Sequence, residues 1–266
     1  MKDHSFSNFH HELLLAFPVT VAALAQDQVV PAKVAWGDEA PEDGFEIVGG
    51  QEAQFGKHLY VAGLKASPNG NSMCGGSLIA PNVVLTAAHC LDEHLRHVVV
   101  GTHYLSGSAD GELANVTQKI KHPDGTDVGI IILDHDISIT QPVAVSFRYV
   151  WAGDKAWVRG WGNVWHNGPP SQVLKEVNVT AWTNLRASAA LYPFGVTVTH
   201  TMLFAGTEEE NSCVGDSGGP LTIEENGAVR LVGVVRSGVG CGLAGTPGIY
   251  ERTSDAQDFI KPYLRN

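Results

Sequence analysis

Short apolar segments rich in β-branched residues recur along this chain and are separated by residues that favour turns. Two of them, residues 59–64 and 77–86, lie on either side of the turn sequence Ser-Pro-Asn-Gly-Asn at residues 67–71. A third, residues 128–133, is continuously apolar, which is typical of a strand buried on both faces. With 30 glycines and six tryptophans, this pattern predicts an all-β architecture of many short strands.

A different apolar segment lies near the N-terminus. Residues 13–25 end in Ala-Leu-Ala, a small-x-small pattern typical of a signal-peptide cleavage site, and the run is too short to span a bilayer. We therefore expect residues 1–25 to be a signal peptide and the protein to be secreted to the extracellular space, with no membrane association after signal removal. The alternative is a buried amphipathic helix, because the preceding charges are mixed and Pro18 interrupts the run.

The segment after the predicted signal has little to bury. Residues 26–46 contain six acidic residues, one lysine, two prolines and two glycines. This composition favours an extended or mobile segment over a packed one. We expect a propeptide or linker here, followed by one folded domain at residues 47–266.

Composition limits the classes of function. A chain of 266 residues with 44% hydrophobic content can form a substantial core, and a formal net charge of -11 argues against a nucleic-acid partner. The histidines are scattered, with neither a His-Glu-x-x-His nor a Cys-x-x-Cys motif, so no metal and no cofactor are expected. Four cysteines in an exported chain predict two disulfides, for which three pairings are possible.

The most informative motif is Gly-Asp-Ser-Gly-Gly-Pro at residues 215–220. Glycines around Ser217 suit a tight turn that projects the hydroxyl outward, as a nucleophile requires. Alone, the motif also fits the nucleophile elbow of α/β-hydrolases or an ordinary turn. An α/β-hydrolase needs its histidine after the serine, but the last histidine here is His200. A base for Ser217 must therefore come from upstream.

Two upstream residues complete the candidate site. His89 lies at the end of an apolar run, in the sequence Thr-Ala-Ala-His-Cys at residues 86–90. Asp127 directly precedes the apolar run 128–133, where a half-buried carboxylate should hold a partner; a simple strand cap is the alternative. Together with the Ser217 motif, residues 86–90 resemble the chymotrypsin/trypsin family of serine proteases.

The resemblance implies both a fold and a chemistry. The fold is all-β, with two six-stranded Greek-key barrels, a C-terminal helix and the site in the cleft between the barrels. By resemblance, Ser217 is the nucleophile, His89 the general base and Asp127 the residue that orients the histidine. The backbone N–H groups of Gly215 and Ser217 would form the oxyanion hole. The implied protein is a monomeric serine endopeptidase acting on protein or peptide substrates.

The sequence Ile-Val-Gly-Gly at residues 47–50 is similar to the mature N-terminus of the family. There a cut frees the isoleucine amine, which pairs with the aspartate before the nucleophile, so Ile47 would pair with Asp216 and the chain would be made as a zymogen. Glu46 precedes this bond where many members have lysine or arginine, so activation needs a glutamate-tolerant protease. The alternative for Ile47 is an ordinary strand start.

The resemblance also implies how the cysteines pair. It joins Cys74 to Cys90, which closes a loop whose chain-entropy stabilisation is roughly 3 kcal/mol, and it joins Cys213 to Cys241. Most members of the family carry a further disulfide, but this chain places Ala187 and Phe204 at those two positions. Both partners are replaced together, so no thiol is left unpaired there.

The implied substrate-binding residues depart from the usual pattern. Asn211 stands where trypsin-like members have an aspartate, so a strong preference for Arg or Lys is not expected, because a neutral amide does not offset a buried cation. Gly238 and Gly248 match the two glycines that keep the pocket open to long side chains. Arg236 replaces a serine that normally contacts the catalytic aspartate; pointing inward, it would pair with Asp127 and compete with the histidine.

These departures keep a second function open. Residues 101–105, with Gly111-Glu112 downstream, resemble trypsin-like proteins of oomycetes, a group that includes glucanase inhibitor proteins. A homologue of this kind would be secreted and catalytically weak or inactive, and would bind a proteinaceous partner such as a host enzyme. The intact histidine, aspartate and serine favour the enzyme.

Two short sequences fit the acceptor pattern for N-linked glycosylation. They begin at Asn115 and Asn178, and each has threonine two residues later. Because such patterns also arise by chance, both sites stay predictions for an exported protein.

Overall fold

The computed structural model describes residues 50–164, 167–207, 216–239 and 245–264. In the N-terminal half its strands are β1 (Gln51–Glu52), β2 (Val61–Lys65), β3 (Cys74–Ala80), β4 (Val83–Thr86), β5 (His97–Val100), β6 (Glu112–Lys121) and β7 (Gly129–Leu133). Strands β2 to β7 close into an antiparallel barrel in the order β2-β3-β4-β7-β6-β5. Aliphatic side chains such as those of Leu78, Leu85 and Ile130 fill its core.

A second barrel follows in the C-terminal half. Its strands are β8 (Ala144–Val145), β9 (Lys155–Gly160), β10 (Lys175–Ala181), β11 (Met202–Gly206), β12 (Pro220–Glu225), β13 (Ala228–Gly238) and β14 (Gly248–Arg252). The ring order is β9-β10-β11-β14-β13-β12, closed by pairing of β9 with β10, while β1 and β8 lie outside it. Both rings repeat the same Greek-key order, so the predicted fold of two six-stranded barrels is confirmed.

The strands follow the apolar segments of the sequence, with one correction. The predicted runs 59–64 and 128–133 correspond to β2 and β7. Interpretation of the apolar segment 77–86 as a single strand is wrong, because β3 and β4 are separate strands joined by Pro81 and Asn82. Proline has a fixed φ and no N–H to donate to a ladder, so the strand ends there and the chain turns back.

The described residues also include a helix that the apolar pattern did not predict. Helix α1 (Asn184–Leu191) begins where the Thr183 hydroxyl accepts a hydrogen bond from Arg186 N at 3.1 Å. Ala187 and Phe204, at the positions of the missing family disulfide, are fully buried in one apolar cluster. Hydrophobic packing therefore holds together the two positions to which the resemblance assigns a disulfide in most members.

The predicted C-terminal helix is present. Helix α2 (Gln257–Ile260) continues into the 3₁₀ turn Lys261–Leu264 and packs Ile260 into the core of the first barrel. Among the described residues, no helix combines the length and the apolar character that crossing a membrane requires.

A buried polar network links the first barrel to the second. Arg159 on β9 pairs with Glu176 on β10 at 3.0 Å and donates to Thr222 Oγ1 at 2.7 Å and to the Tyr60 hydroxyl at 3.3 Å. His58 Nε2, just before β2, lies 3.1 Å from Glu176 Oε2 without being aligned for a directed hydrogen bond. Burial, together with the nearby Arg159 charge, lowers the pKa of His58 to about 4, so this ring is neutral at pH 7.

The lowered pKa of His58 predicts a loss of stability in mild acid. Between its ordinary pKa of 6.5 and the folded value of about 4, the unfolded chain takes up a proton that the folded chain does not, so the free energy of unfolding falls as pH decreases. A His58→Gln variant keeps a side-chain donor near Glu176 but does not titrate. In urea unfolding at pH 7 and pH 5, the wild type should lose about 2 kcal/mol more than this variant.

The matched control is His94→Gln, because the His94 side chain is 72% exposed. It should lose as much stability between the two pH values as the wild type. Equal losses in all three proteins would show that His58 does not carry the acid sensitivity.

Candidate active site

His89 lies in the 3₁₀ turn Ala88–Cys90 that follows β4. A disulfide joins Cys90 to Cys74 at the start of β3, as the resemblance implies, so the turn is tied both to β4 and to β3. The His89 side chain is 45% exposed. One of its ring nitrogens lies within 4.8 Å of both sulfurs, but sulfurs bonded to each other are not thiolates, so this cluster does not fit a metal ion.

The strand register brings Asp127 to His89. In the antiparallel pairing of β4 with β7, Thr86 at the end of one strand lies opposite Gly129 at the start of the other. Residues just after β4 therefore meet residues just before β7. His89 N donates to Asp127 Oδ1 at 2.9 Å, and His89 Nδ1 lies 2.7 Å from Asp127 Oδ2. With Nδ1 as the donor, Nε2 is left as the acceptor that a general base needs.

The charge of Asp127 is maintained by its neighbours. Partial burial raises the pKa of the carboxyl, but the hydrogen bonds and charge of His89, with a contribution from Arg236, outweigh burial and leave the pKa below its ordinary value. The Asp127 side chain is only 15% exposed. The carboxylate is therefore ionised at neutral pH and stays able to stabilise a protonated imidazole.

Ser217 lies on a turn that packs directly against the first barrel. Ser217 O accepts a hydrogen bond from Gly75 N at 2.8 Å. Gly218 has φ of +81°, and a Cβ there would lie 2.2 Å from Thr86 Oγ1. A Cβ on Gly75 would lie 2.9 Å from the Cα of Gly219. These glycines let the two backbones touch, and the contact holds the serine turn beside the strand that leads to the histidine.

The Ser217 hydroxyl has a hydrogen-bond partner on the second barrel. Its Oγ donates to the carbonyl oxygen of Arg236 at 3.5 Å, which is a long hydrogen bond. Among the described residues, no hydrogen bond joins Ser217 Oγ to His89 Nε2. Transfer of its proton to the imidazole would therefore require the hydroxyl to give up this bond for one to His89.

Asp216 is nearly fully buried, with 1% of its surface exposed. Its Oδ1 accepts a hydrogen bond from Gly162 N at 2.8 Å. A Cβ on Gly160 or Gly162 would lie 2.2 Å or 2.4 Å from the carboxylate oxygens, so both glycines are needed for its approach. Ile47, the residue predicted to pair with Asp216, lies outside the described residues.

Arg236 stands at a β-bulge in β13, where the register with β14 shifts between Val235 and Ser237. Its Nη1 donates to Glu251 Oε1 at 2.9 Å, while its Nε is 4.0 Å from Asp127 Oδ2. The side chain thus points inward; its hydrogen bond goes to Glu251, and its distance to Asp127 is at the limit of an ion pair. The hydrogen bonds between Asp127 and the histidine remain in place.

The other predicted site residues divide into two sets. Gly238 and Gly248 lie opposite each other in the pairing of β13 with β14. The remaining substrate-pocket, oxyanion-hole and disulfide predictions fall outside the described residues, and they are Asn211, Gly215, Cys213 and Cys241.

The two predicted glycosylation positions lie on strands. Asn115 on β6 is exposed, but its Nδ2 donates to Asp134 Oδ2 at 2.6 Å, so a glycan at this nitrogen would have to replace that bond. Asn178 on β10 is half-buried and lies opposite Trp157 on β9.

Sequence reasoning missed two residues that shape the site. The first is Gly75, for which the pair Gly75-Gly76 inside an apolar strand pattern was an available signal of close backbone approach. The second is Glu251, whose position directly after the apolar sequence Gly-Ile-Tyr at residues 248–250 marks a buried carboxylate in need of a partner.

Comparisons with known proteins agree with this geometry. The family model described as Trypsin matches residues 47–260. The chain is 32% identical over 263 residues to glucanase inhibitor protein 2 of Phytophthora sojae, with 93% of this chain and 88% of that protein covered. It is 36% identical over 244 residues to a tryptase of Mus musculus, covering 82% and 88%. It is also 33% identical over 247 residues to venom serine protease Bi-VSP of Bombus ignitus, covering 82% and 69%.

Two glycines with positive φ test whether the contact between the barrels needs glycine. Gly227 has φ of +75° and open space around it, so Gly227→Ala should cost only the backbone strain of about 1 kcal/mol. Gly218→Ala adds a clash with Thr86 and Gly75 to the same strain and should cost about 3 kcal/mol or more. Urea unfolding of both variants measures the difference, and equal losses would contradict the close packing.

Proposed function

Because this chain belongs to the trypsin family, we propose that it is a secreted serine endopeptidase, made as a zymogen, that hydrolyses peptide bonds with Ser217, His89 and Asp127. The observation that carries the proposal is the double anchoring of His89 by Asp127, through its backbone N–H and its ring, next to the turn that holds Ser217. A ring held in this way has one defined tautomer and presents Nε2 as a base.

In the proposed reaction, Ser217 Oγ attacks the substrate carbonyl while His89 Nε2 accepts the hydroxyl proton. His89 then gives this proton to the departing amine, and water attacks the acyl-enzyme by the same route to restore the serine. Asp127 remains ionised and stabilises the imidazolium in both halves. The N–H groups of Gly215 and Ser217 would hold the oxyanion, for which the loss of one donor typically raises the barrier by about 3 kcal/mol.

Cleavage before Ile47 is proposed to complete the site. The freed ammonium would pair with Asp216, the buried residue directly before the nucleophile, and ordering of this turn would let the Ser217 hydroxyl leave the Arg236 carbonyl for His89. We assign residues 1–25 to a signal peptide and residues 26–46 to a propeptide. The Cys74–Cys90 disulfide supports an extracellular destination, because disulfides persist in oxidising compartments.

The substrates are proposed to be proteins or peptides without a strong demand for Arg or Lys at the cleaved bond. Gly238 and Gly248, paired across β13 and β14, put no side chain on the wall of the pocket that they border. Asn211, proposed for the base of that pocket, offers hydrogen bonds but no negative charge. A long, uncharged polar or apolar side chain is therefore the expected preference.

Labelling with a fluorophosphonate tests the enzyme proposal, because this probe reacts with activated serines. An enteropeptidase site in place of residues 42–46 allows the chain to be cut cleanly before Ile47. The cut wild type should be labelled and Ser217→Ala should not. Asp127→Asn should slow labelling by about 10⁴-fold, the loss in kcat known for the equivalent change in this family.

The uncut wild type serves as the control for activation and should react far more slowly than the cut protein. Circular dichroism and the unfolding midpoint confirm that each variant is folded. A folded, cut wild type that stays unlabelled would reject the peptidase proposal.

A second candidate function is binding without cleavage. Three observations favour it: the Ser217 hydroxyl bonds to Arg236 O, the Arg236 guanidinium lies 4.0 Å from Asp127, and a relative covering most of both chains is a glucanase inhibitor protein. In this alternative the protein is a secreted inhibitor that binds a host glucanase, and Ser217, His89 and Asp127 do not catalyse a reaction.

Inhibition of a plant glucanase separates the two functions. An inhibitor should reduce glucan hydrolysis at micromolar or lower concentration, and Ser217→Ala should inhibit as well as the wild type, because the hydroxyl is not needed for binding. A protein without effect on the glucanase in either form would reject the inhibitor alternative. Heat-denatured protein controls for nonspecific loss of glucanase activity.

A further inference from the structure

Arg236 lies between two carboxylates that relate differently to the site. Its guanidinium donates to Glu251 Oε1 at 2.9 Å, and its Nε is 4.0 Å from Asp127 Oδ2. Asp127 Oδ2 is the same oxygen that accepts the hydrogen bond from His89 Nδ1 at 2.7 Å. The guanidinium is therefore hydrogen-bonded to Glu251, and it lies close to the Asp127 oxygen that accepts the hydrogen bond from His89.

We propose that Glu251 is a positioning residue that holds the Arg236 guanidinium away from Asp127, so that Asp127 Oδ2 remains available to His89. The inference rests on the proposed peptidase function and deepens it. It explains how this chain keeps an arginine next to the aspartate of an intact triad.

Burial explains why the guanidinium is bonded to Glu251. The Glu251 side chain is 1% exposed and that of Asp127 is 15% exposed, so the attraction of a cation is screened less at Glu251. Burial raises the pKa of Glu251, and the Arg236 charge opposes this shift. Glu251 Oε2 has no well-formed hydrogen bond, so the bond to Arg236 is the main compensation for a buried negative charge.

At the bulge, both the backbone and the side chain of Arg236 reach the site. Its carbonyl accepts from the Ser217 hydroxyl, and its side chain approaches Asp127.

The charged and titratable groups near the guanidinium are Glu251 from β14, Asp127 and Asp124 from the segment before β7, and the two histidines His89 and His200. Asp124, His200, Arg236 and Glu251 line one cavity of about 540 Å³, so the side chain has space to move.

A guanidinium bonded to Asp127 Oδ2 would weaken the site in two ways. It would compete with the ring N–H for the same oxygen, and it would offset the negative charge that stabilises the imidazolium. Both effects make the histidine a poorer base. Removal of the Glu251 charge should therefore make His89 a poorer base only when Arg236 is present.

Three variants test this dependence: Glu251→Gln, Arg236→Gln and the double change. In the cut protein, Glu251→Gln should lower the second-order rate of fluorophosphonate labelling at least tenfold. Arg236→Gln sets a reference rate of its own, and adding Glu251→Gln to it should change that rate by less than about threefold, because no guanidinium remains to move. The exposed Glu224→Gln is the control for loss of a surface charge.

The NMR signal of the His89 Nδ1 proton gives a readout that needs no catalysis. In Glu251→Gln the hydrogen bond of this proton to Asp127 should weaken, so its downfield signal should move upfield, whereas adding Glu251→Gln to Arg236→Gln should leave the signal unchanged. Unfolding midpoints measured in parallel separate this effect from a general loss of stability. If Glu251→Gln lowers the labelling rate and changes the His89 Nδ1 proton signal as much in the Arg236→Gln background as in the wild type, the positioning role is wrong.

The outcomes for the two proposals are distinct. A wild type that is not labelled rejects the peptidase, and the His89 Nδ1 proton signal then still decides whether Glu251 keeps Asp127 available to the ring. A labelled wild type with an equally reactive Glu251→Gln variant rejects the positioning role alone.

Discussion

The candidate site depends on one contact between the two barrels, in which backbone meets backbone without intervening side chains. Gly75 N donates to Ser217 O at 2.8 Å. Gly218 fits against Thr86 and Gly75, and Gly75 fits against Gly219, only because Gly218 and Gly75 lack a Cβ. The serine turn belongs to the second barrel and the histidine turn to the first. A side chain at this contact would separate the turns by ångströms, and proton transfer between hydroxyl and imidazole requires hydrogen-bond distance.

Around this contact, buried charges are compensated in pairs. Arg159 with Glu176 closes the junction on one side, and Arg236 with Glu251 lies beside the histidine and aspartate on the other. Such pairs contribute little net stability, but loss of one partner leaves an expensive isolated charge. This explains how the chain accepts an arginine near Asp127: the guanidinium has a more deeply buried carboxylate to bond, and the His89–Asp127 geometry is preserved.

Much of the fold follows from sequence because local and global signals agree. Continuous apolar runs locate strands, and the motif around Ser217 with the sequence ending in Cys90 indicates the family and its two barrels. Pro81, inside an apolar run, splits one predicted strand in two. What the sequence does not contain is the direction of a side chain at a bulge. Pairing with Asp127 is expected only for an Arg236 that points inward; the side chain does point inward, but its hydrogen bond goes to Glu251, 15 positions away. Such a partner is set by tertiary register, which no local pattern records.

The most direct test of the central claim is the structure of the protein cut before Ile47 and treated with a fluorophosphonate. The peptidase mechanism predicts phosphorus bonded to Ser217 Oγ, His89 within hydrogen-bond distance of the adduct, and Asp127 still bonded to the ring with Arg236 on Glu251. An unmodified Ser217 whose hydroxyl remains on the Arg236 carbonyl, or a guanidinium inserted between His89 and Asp127, would contradict it.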